Sequence, residues 1–431
     1  MKLFYIALLF GAVSILLGGC NDDSSNFLDF STDFYGVVSY QPEITDDILK
    51  DSVVVHSTTE FFIALSEERQ RIVFAAGEFD LGVVNIDYKV ALEGAPNHGT
   101  TLMGGTFLYL NHDGIKVSSF KWLDGASPSG GRFAVERFGV ISVSADSVFI
   151  ESNIFINIGV NSTVKDKTGI AINLVASDYA KIIGNEFVNS RAIAIKTDDF
   201  SRHLNVKFNT FKDSLFFDGA GEVLHVGNGF SVGQAITSKV DDTFAEFSNN
   251  FIENWSLERE LISIKTSKNK IYNNLFNRNG FSAIVIRMGN ENEVFDNIMV
   301  ESTEFPIRIS GEKNKFYGNI FCGLSTMISL HSERKFSSEI EDLVNSYWAA
   351  NDNLIVGNTF VGFESFVNIN EGYAAEGDDY FVALPKMNKF QKNIIFSKNL
   401  NQSDFISDAI EVSENQIFDK KITCRVTNHD T

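Results

Sequence analysis

The densest chemistry in the chain lies in one stretch, Glu258-Arg259-Glu260-Leu261-Ile262-Ser263-Ile264-Lys265. On an extended segment Glu258 and Glu260 face the same way. Two convergent carboxylates make a hard-oxygen site suited to calcium. Lys265 stands 5 residues after Glu260, and Arg287 stands 22 residues after Lys265. A cation site, an amine and a guanidinium could thus line one short stretch of groove. Taken alone the pattern is unspecific, because E-x-E pairs and outward lysines are common on structural surfaces.

For these groups to meet, residues about one repeat apart must be brought side by side. Nine short segments indicate how, each with an Asn followed two residues later by a large apolar side chain. They are Asn153-Ile154-Phe155, Asn185-Glu186-Phe187, Asn209-Thr210-Phe211, Asn250-Phe251-Ile252, Asn274-Leu275-Phe276, Asn297-Ile298-Met299, Asn319-Ile320-Phe321, Asn358-Thr359-Phe360 and Asn393-Ile394-Ile395. The Asn250 segment reads as one residue out of step. From Asn250 to Asn319 the steps are 24, 23 and 22 residues. A period of that size is one turn of a solenoid, and short alternating strands favour β coils. Equivalent residues then lie one strand spacing, ~4.8 Å, apart. A further strand precedes the Asn in each coil, at 192–196, 223–226, 261–265, 283–287 and 306–309. Alternation sends their Ile residues inward and presents Lys196, His225, Lys265, Arg287 and Arg308 as one basic row.

The rest of the chain sets bounds. It has 431 residues, 44% of them apolar, so it folds, and a repeat array of this length is one domain. Its 40 Phe residues suit a ladder of rings inside the coils. A net charge of −20 argues against nucleic acid as partner. It also requires any acidic polymer to meet a local basic strip or a bound cation. Lys2, the apolar run 3–17 and Leu17-Gly18-Gly19-Cys20 resemble a bacterial lipoprotein signal. That resemblance implies cleavage before Cys20, a lipid anchor there and, with Asn21 next, the outer membrane; an acyl anchor tethers without spanning. The expected organisation is a signal peptide at 1–19, a linker at 20–48, the solenoid at 49–420 and a tail at 421–431. Ser57-Thr58-Thr59-Glu60 has capping-box spacing, and Phe61, Phe62 and Leu65 would face the core from a short helix that closes the N-terminal end. Inserts between Asn209 and Asn250 and between Asn319 and Asn358, the second holding 332–350, would wall a groove, and 124–132 reads as an extruded loop. Pairing of Cys322 with Cys424 stays open.

The ordered motifs resemble polysaccharide lyase family 6, the alginate lyases and chondroitinase B. The family pattern E-x-E-I-I-S-x-K is similar to Glu258, Glu260, Ile262, Ser263 and Lys265. Its L-x-x-R-H-G with a following Asn resembles Ile286-Arg287-Met288-Gly289 with Asn297, and a third Arg resembles Arg308. The family strand E-x-I-R-I-G resembles Glu222-Val223-Leu224-His225-Val226-Gly227. The resemblance implies an all-β fold, a single-stranded right-handed parallel β-helix. It implies β-elimination on a uronic acid polymer, most of all alginate, with Lys265 as base and Arg287 as acid. Arg308 and His225 would bind substrate. Ca²⁺ would be held by Glu258, Glu260 and Glu222. Three departures stand out: Met288 replaces a His, His225 replaces an Arg, and Gly219 falls where the family has a calcium-ligating Asn, leaving Asp218 or Glu222 to substitute. The expected partner is an anionic polysaccharide, met by a monomer anchored in the cell envelope. Dermatan sulfate cleavage, a β-helix that binds polysaccharide without cutting it, and a purely structural surface solenoid are the alternatives.

Overall fold

The computed structural model describes residues 13–15, 26–31 and 51–427, without 126–138, 161–168, 215–220, 229–240, 257, 281–282, 303–304, 324, 336–347, 371–380, 401–403 and 405–407. Cys20, Gly219, Asp218 and most of the expected signal, loop and inserts lie outside the described residues.

Three parallel sheets of 14, 13 and 11 strands run along the chain. Each coil gives one strand to each sheet. One coil runs through Glu260–Ile264, Lys270–Tyr272 and Leu275–Gly280 and returns one layer on at Ala283–Ile286. The fold is therefore the expected parallel β-helix. Alternation places Ile262, Ile284, Ile307 and Ile328 in one inward row and Ile264, Ile286, Ile309 and Leu330 in the next, all buried in the main core. Each such side chain contributes roughly 1.5–3 kcal/mol by leaving water. Ring stacking follows the same register: Trp122, Phe155, Phe187 and Phe211 lie face to face at 5.8, 4.7 and 4.8 Å.

The repeated Asn marks a sharp corner between the 14- and 13-stranded sheets. The residue ahead of it turns through positive φ, as at Asn249, Asn273 and Asp296, leaving backbone groups that need partners inside the protein. Asn supplies them. In each coil the backbone N–H and the Nδ2 of one Asn both donate to Oδ1 of the next; for Asn274 onto Asn297 the distances are 3.1 and 2.9 Å. The ladder runs unbroken from Asn153 to Asn415. Asn250 sits in step within it, bonded to Asn209 and Asn274, and Ile252 stacks between Phe211 and Phe276. Ile252, not the bulkier Phe251, joins the coil interior there, and Phe251 lies on the outer face. A second ladder, Asn269, Asn292, Asn314, Asn353 and Asn388, lines the corner ahead of the 14-stranded sheet.

The helix Thr58–Ser66 covers the N-terminal end, with Ser57 Oγ accepting from Glu60 N–H at 3.2 Å. Its buried face is Phe61 and Ala64. Phe62 is 41% exposed, because it lies a third of a turn from Phe61 rather than on its face. The two termini also differ from the expected linker and tail. Asn26–Ser31 pairs in parallel with Ile422–Thr427. Together they lay Leu28, Phe30 and Ile422 on Phe251, Leu275, Ile298, Ile320 and Val361, on the outer face of the 13-stranded sheet. Cys322 and Cys424 are joined by a disulfide across that contact, 102 residues apart in sequence.

Candidate active site

The expected functional side chains gather on the outer face of the 11-stranded sheet. Parallel register sets Lys196 opposite His225, His225 opposite Ser263, Ser263 opposite Val285, and Val285 opposite Arg308. Lys265 follows Ile264 and Arg287 follows Ile286, and those two Ile residues are partners, so Lys265 and Arg287 are level one coil apart. The basic residues thus form two rows two residues apart along the strands, not the single row expected. Ser263 and Val285 fill the first row in the middle coils. Gly227 (φ 83°) lets the chain turn away beside them, where a Cβ would meet Thr266, Asp199 and Lys265.

Nor are these groups solvated. Lys196, Glu222, His225 and Glu260 are buried, and the side chains of Arg287 and Arg308 are 17% and 12% exposed. Two connected networks hold them. In the first, His225 Nδ1 meets Glu222 Oε1 at 3.0 Å, and Lys265 Nζ meets His225 Nε2 at 3.0 Å. In the second, Glu260 accepts from Ser263 Oγ at 2.6 Å, forms an ion pair with Arg308 and has Arg287 Nη1 at 3.7 Å. Lys196 Nζ donates to Asn228 Oδ1 at 2.6 Å.

Electrostatics follow from burial and these neighbours. Burial, reinforced by the Arg287 charge, lowers the Lys265 amine from its usual range to about 7, so a large neutral fraction exists at neutral pH. Burial, with the nearby Lys265, brings His225 down to about 4, so its ring is neutral. Burial works against the charge on Glu260, yet Arg287 and Arg308 outweigh it and hold the carboxyl well below its usual range. His331 was not anticipated. Burial and Arg308 lower it to about 3, and it follows the same alternation on strand Thr326–His331. That alternation was the available signal, obscured by the long insert between the two coils.

The carboxylates proposed as a calcium cage are differently engaged. Glu260 is committed to Arg308 and Ser263, and Glu222 to His225. Glu258 lies half-buried in a bend just ahead of the strand Glu260–Ile264. Among the described residues no group of three or more His, Cys, Asp or Glu side chains is arranged to hold a metal. Oε2 of Glu222 is buried with no hydrogen-bond partner among the described residues, and calcium takes roughly 6–8 oxygens. Lys265, Arg287 and Arg308 would also repel a dication. The described carboxylates alone do not make a calcium site, residues 215–220, where a further ligand was expected, lying outside the described residues, and no step below passes through calcium.

No protein-family model matches the sequence, and no curated protein matches it. Solved structures share its fold. A PL6 family polysaccharide lyase from Pseudopedobacter saltans superposes with a TM-score of 0.67 at 18% identity, over 85% of this chain and 92% of that one. A PL6 alginate lyase in complex with a trisaccharide gives 0.66 at 17% identity, over 88% and 87%. A mannuronic acid specific family 6 lyase from human gut microbiota gives 0.62 at 15% identity, over 85% and 83%.

Proposed function

We propose that this protein is a polysaccharide lyase that cleaves a uronic acid polymer, most of all alginate, by β-elimination. The observation that carries the reading is the half-buried Lys265 beside Arg287, on the face where the motif series places them, in a chain that folds like PL6 lyases. The proton at C5 of a uronate is weakly acidic, because removing it builds negative charge next to a carboxylate. A cationic surface lowers that barrier. Neutral Lys265 takes the C5 proton. The electron pair left behind forms the C4=C5 double bond as the C4–O bond breaks. Arg287, as the acid, donates to the departing glycosidic oxygen. Arg308 bears more N–H donors than Glu260 uses, and its planar fork matches a sugar carboxylate. The charge opposite the substrate thus comes from side chains of this chain rather than from a metal. A lipid anchor at Cys20 would hold this chemistry at the cell envelope.

The test is incubation with polymannuronate, polyguluronate and dermatan sulfate, each with and without chelator, following the ultraviolet absorbance of the unsaturated product. Product from an alginate block, undiminished by chelator, is expected. Tight oligosaccharide binding with no product from any polymer would establish the binding reading instead, and product from dermatan sulfate alone would move the substrate. Activity abolished by chelator and restored by calcium would overturn the metal-free account.

A further inference from the structure

We propose that Glu222 and His225 form an orienting pair for Lys265, with His225 a positioning residue that fixes where the lone pair of the amine points. The inference rests on the lyase reading and adds to it. In sequence His225 reads as a substrate contact and Glu222 as a metal ligand. In the structure both are buried, and they form a chain from carboxylate to imidazole to amine at 3.0 Å per step. The strand carrying His225, Leu224–Val226, lies directly against Glu260–Ile264, and Lys265 N–H donates to Val226 O at 2.9 Å. The amine and the ring are therefore fixed to each other by backbone as well as by side chain.

Proton bookkeeping sets the direction of every bond. An ionised carboxylate only accepts. His225 Nδ1 must therefore carry a hydrogen and donate it to Glu222. In a neutral ring Nε2 then has a lone pair and no hydrogen, so Lys265 must be the donor in the second bond. A neutral amine that spends one N–H on His225 keeps its lone pair directed away from the ring. The groups that also act on Lys265 are Lys196 from two coils before, Glu260 from its own strand and Arg287 from the next coil. None of these replaces the acceptor at Nε2. This is the logic by which a buried carboxylate holds an imidazole in one tautomer, here passed to a lysine.

Two measurements decide it. The first needs no activity: ¹⁵N spectra of histidine-labelled full-length protein, with the His225 signals identified by their loss in His225→Gln. A hydrogen on Nδ1 and none on Nε2 is expected at neutral pH. A hydrogen on Nε2, or a doubly protonated ring, overturns the proposal. The second is kinetic, on whichever polyuronate is cleaved. Glu222→Gln, which weakens the tautomer preference, should lower kcat about 10- to 100-fold with KM within about threefold. His225→Ala should fall further. His225→Gln, whose amide oxygen can still take the Lys265 hydrogen, should retain more activity than the Ala variant. Unchanged kcat in Glu222→Gln and His225→Ala, or a loss confined to KM, also overturns it and makes His225 a substrate contact. If the protein cleaves no polymer, the lyase reading fails by itself and the spectra still judge the pair.

Discussion

At the scale of single residues, sequence showed which side chains would come together better than what each one contacts. Lys265, Arg287, Arg308, His225, Glu222 and Glu260 all come to one face, the bases in two rows rather than the one their alternation implied. Their commitments were hidden. That Glu260 would be taken by Arg308 depends on burial and on a partner 48 residues away, and spacing along one strand carries no trace of it. The lowered pKa of Lys265 has a direct consequence. The base must be neutral, and its neutral fraction grows as pH rises through about 7. The kcat/KM profile should therefore climb with pH and level off above an apparent pKa near that value. A profile flat from acid to neutral pH would contradict the assignment. Arg308 has a structural duty as well. Arg308→Met leaves a buried carboxylate with less compensation and should cost about 3 kcal/mol in denaturant unfolding, whereas Arg308→Lys keeps the charge and should lose mainly substrate affinity.

At the scale of elements, the repeat was legible because one residue type does one mechanical job in every coil. Asn closes a corner that would otherwise bury unpaired backbone groups, so it recurs wherever that corner recurs. Asn274→Ala removes the acceptor for two donors of Asn250 and the donor to Phe247 O. It should destabilise the protein by about 2–4 kcal/mol, measurable as a lower denaturant midpoint. The terminal strands were not legible. Segment 26–31 alternates buried Leu28 and Phe30, but a single short strand has no repeat to flag it, and its partner lies near the other end of the chain. The Cys322–Cys424 bridge was undecidable for the same reason, since two thiols show no proximity in sequence. A Cys322→Ser, Cys424→Ser variant should lose about 2–4 kcal/mol and keep kcat, because the bridge lies on the 13-stranded sheet while Lys265 projects from the 11-stranded one. A large drop in kcat without loss of stability would mean that the clasp acts on the site.

At the scale of the whole molecule, a chain of net charge −20 concentrates Lys196, Lys265, Arg287 and Arg308 on one face of one sheet. The solenoid makes this possible. Residues a full repeat apart in sequence become neighbours, so four coils can each lend a cation to the same patch without any long loop. An acidic exterior and a cationic face suit a polyanion held locally. The account turns on Lys265 acting as the base. Its most direct test is the rate of C4=C5 absorbance on the best polyuronate for the native protein and for Lys265→Ala, with oligosaccharide binding measured alongside. The account predicts a loss of at least about 10³-fold in kcat while binding stays within a few-fold. A Lys265→Ala variant that still forms unsaturated product at more than about a tenth of the native rate would contradict it.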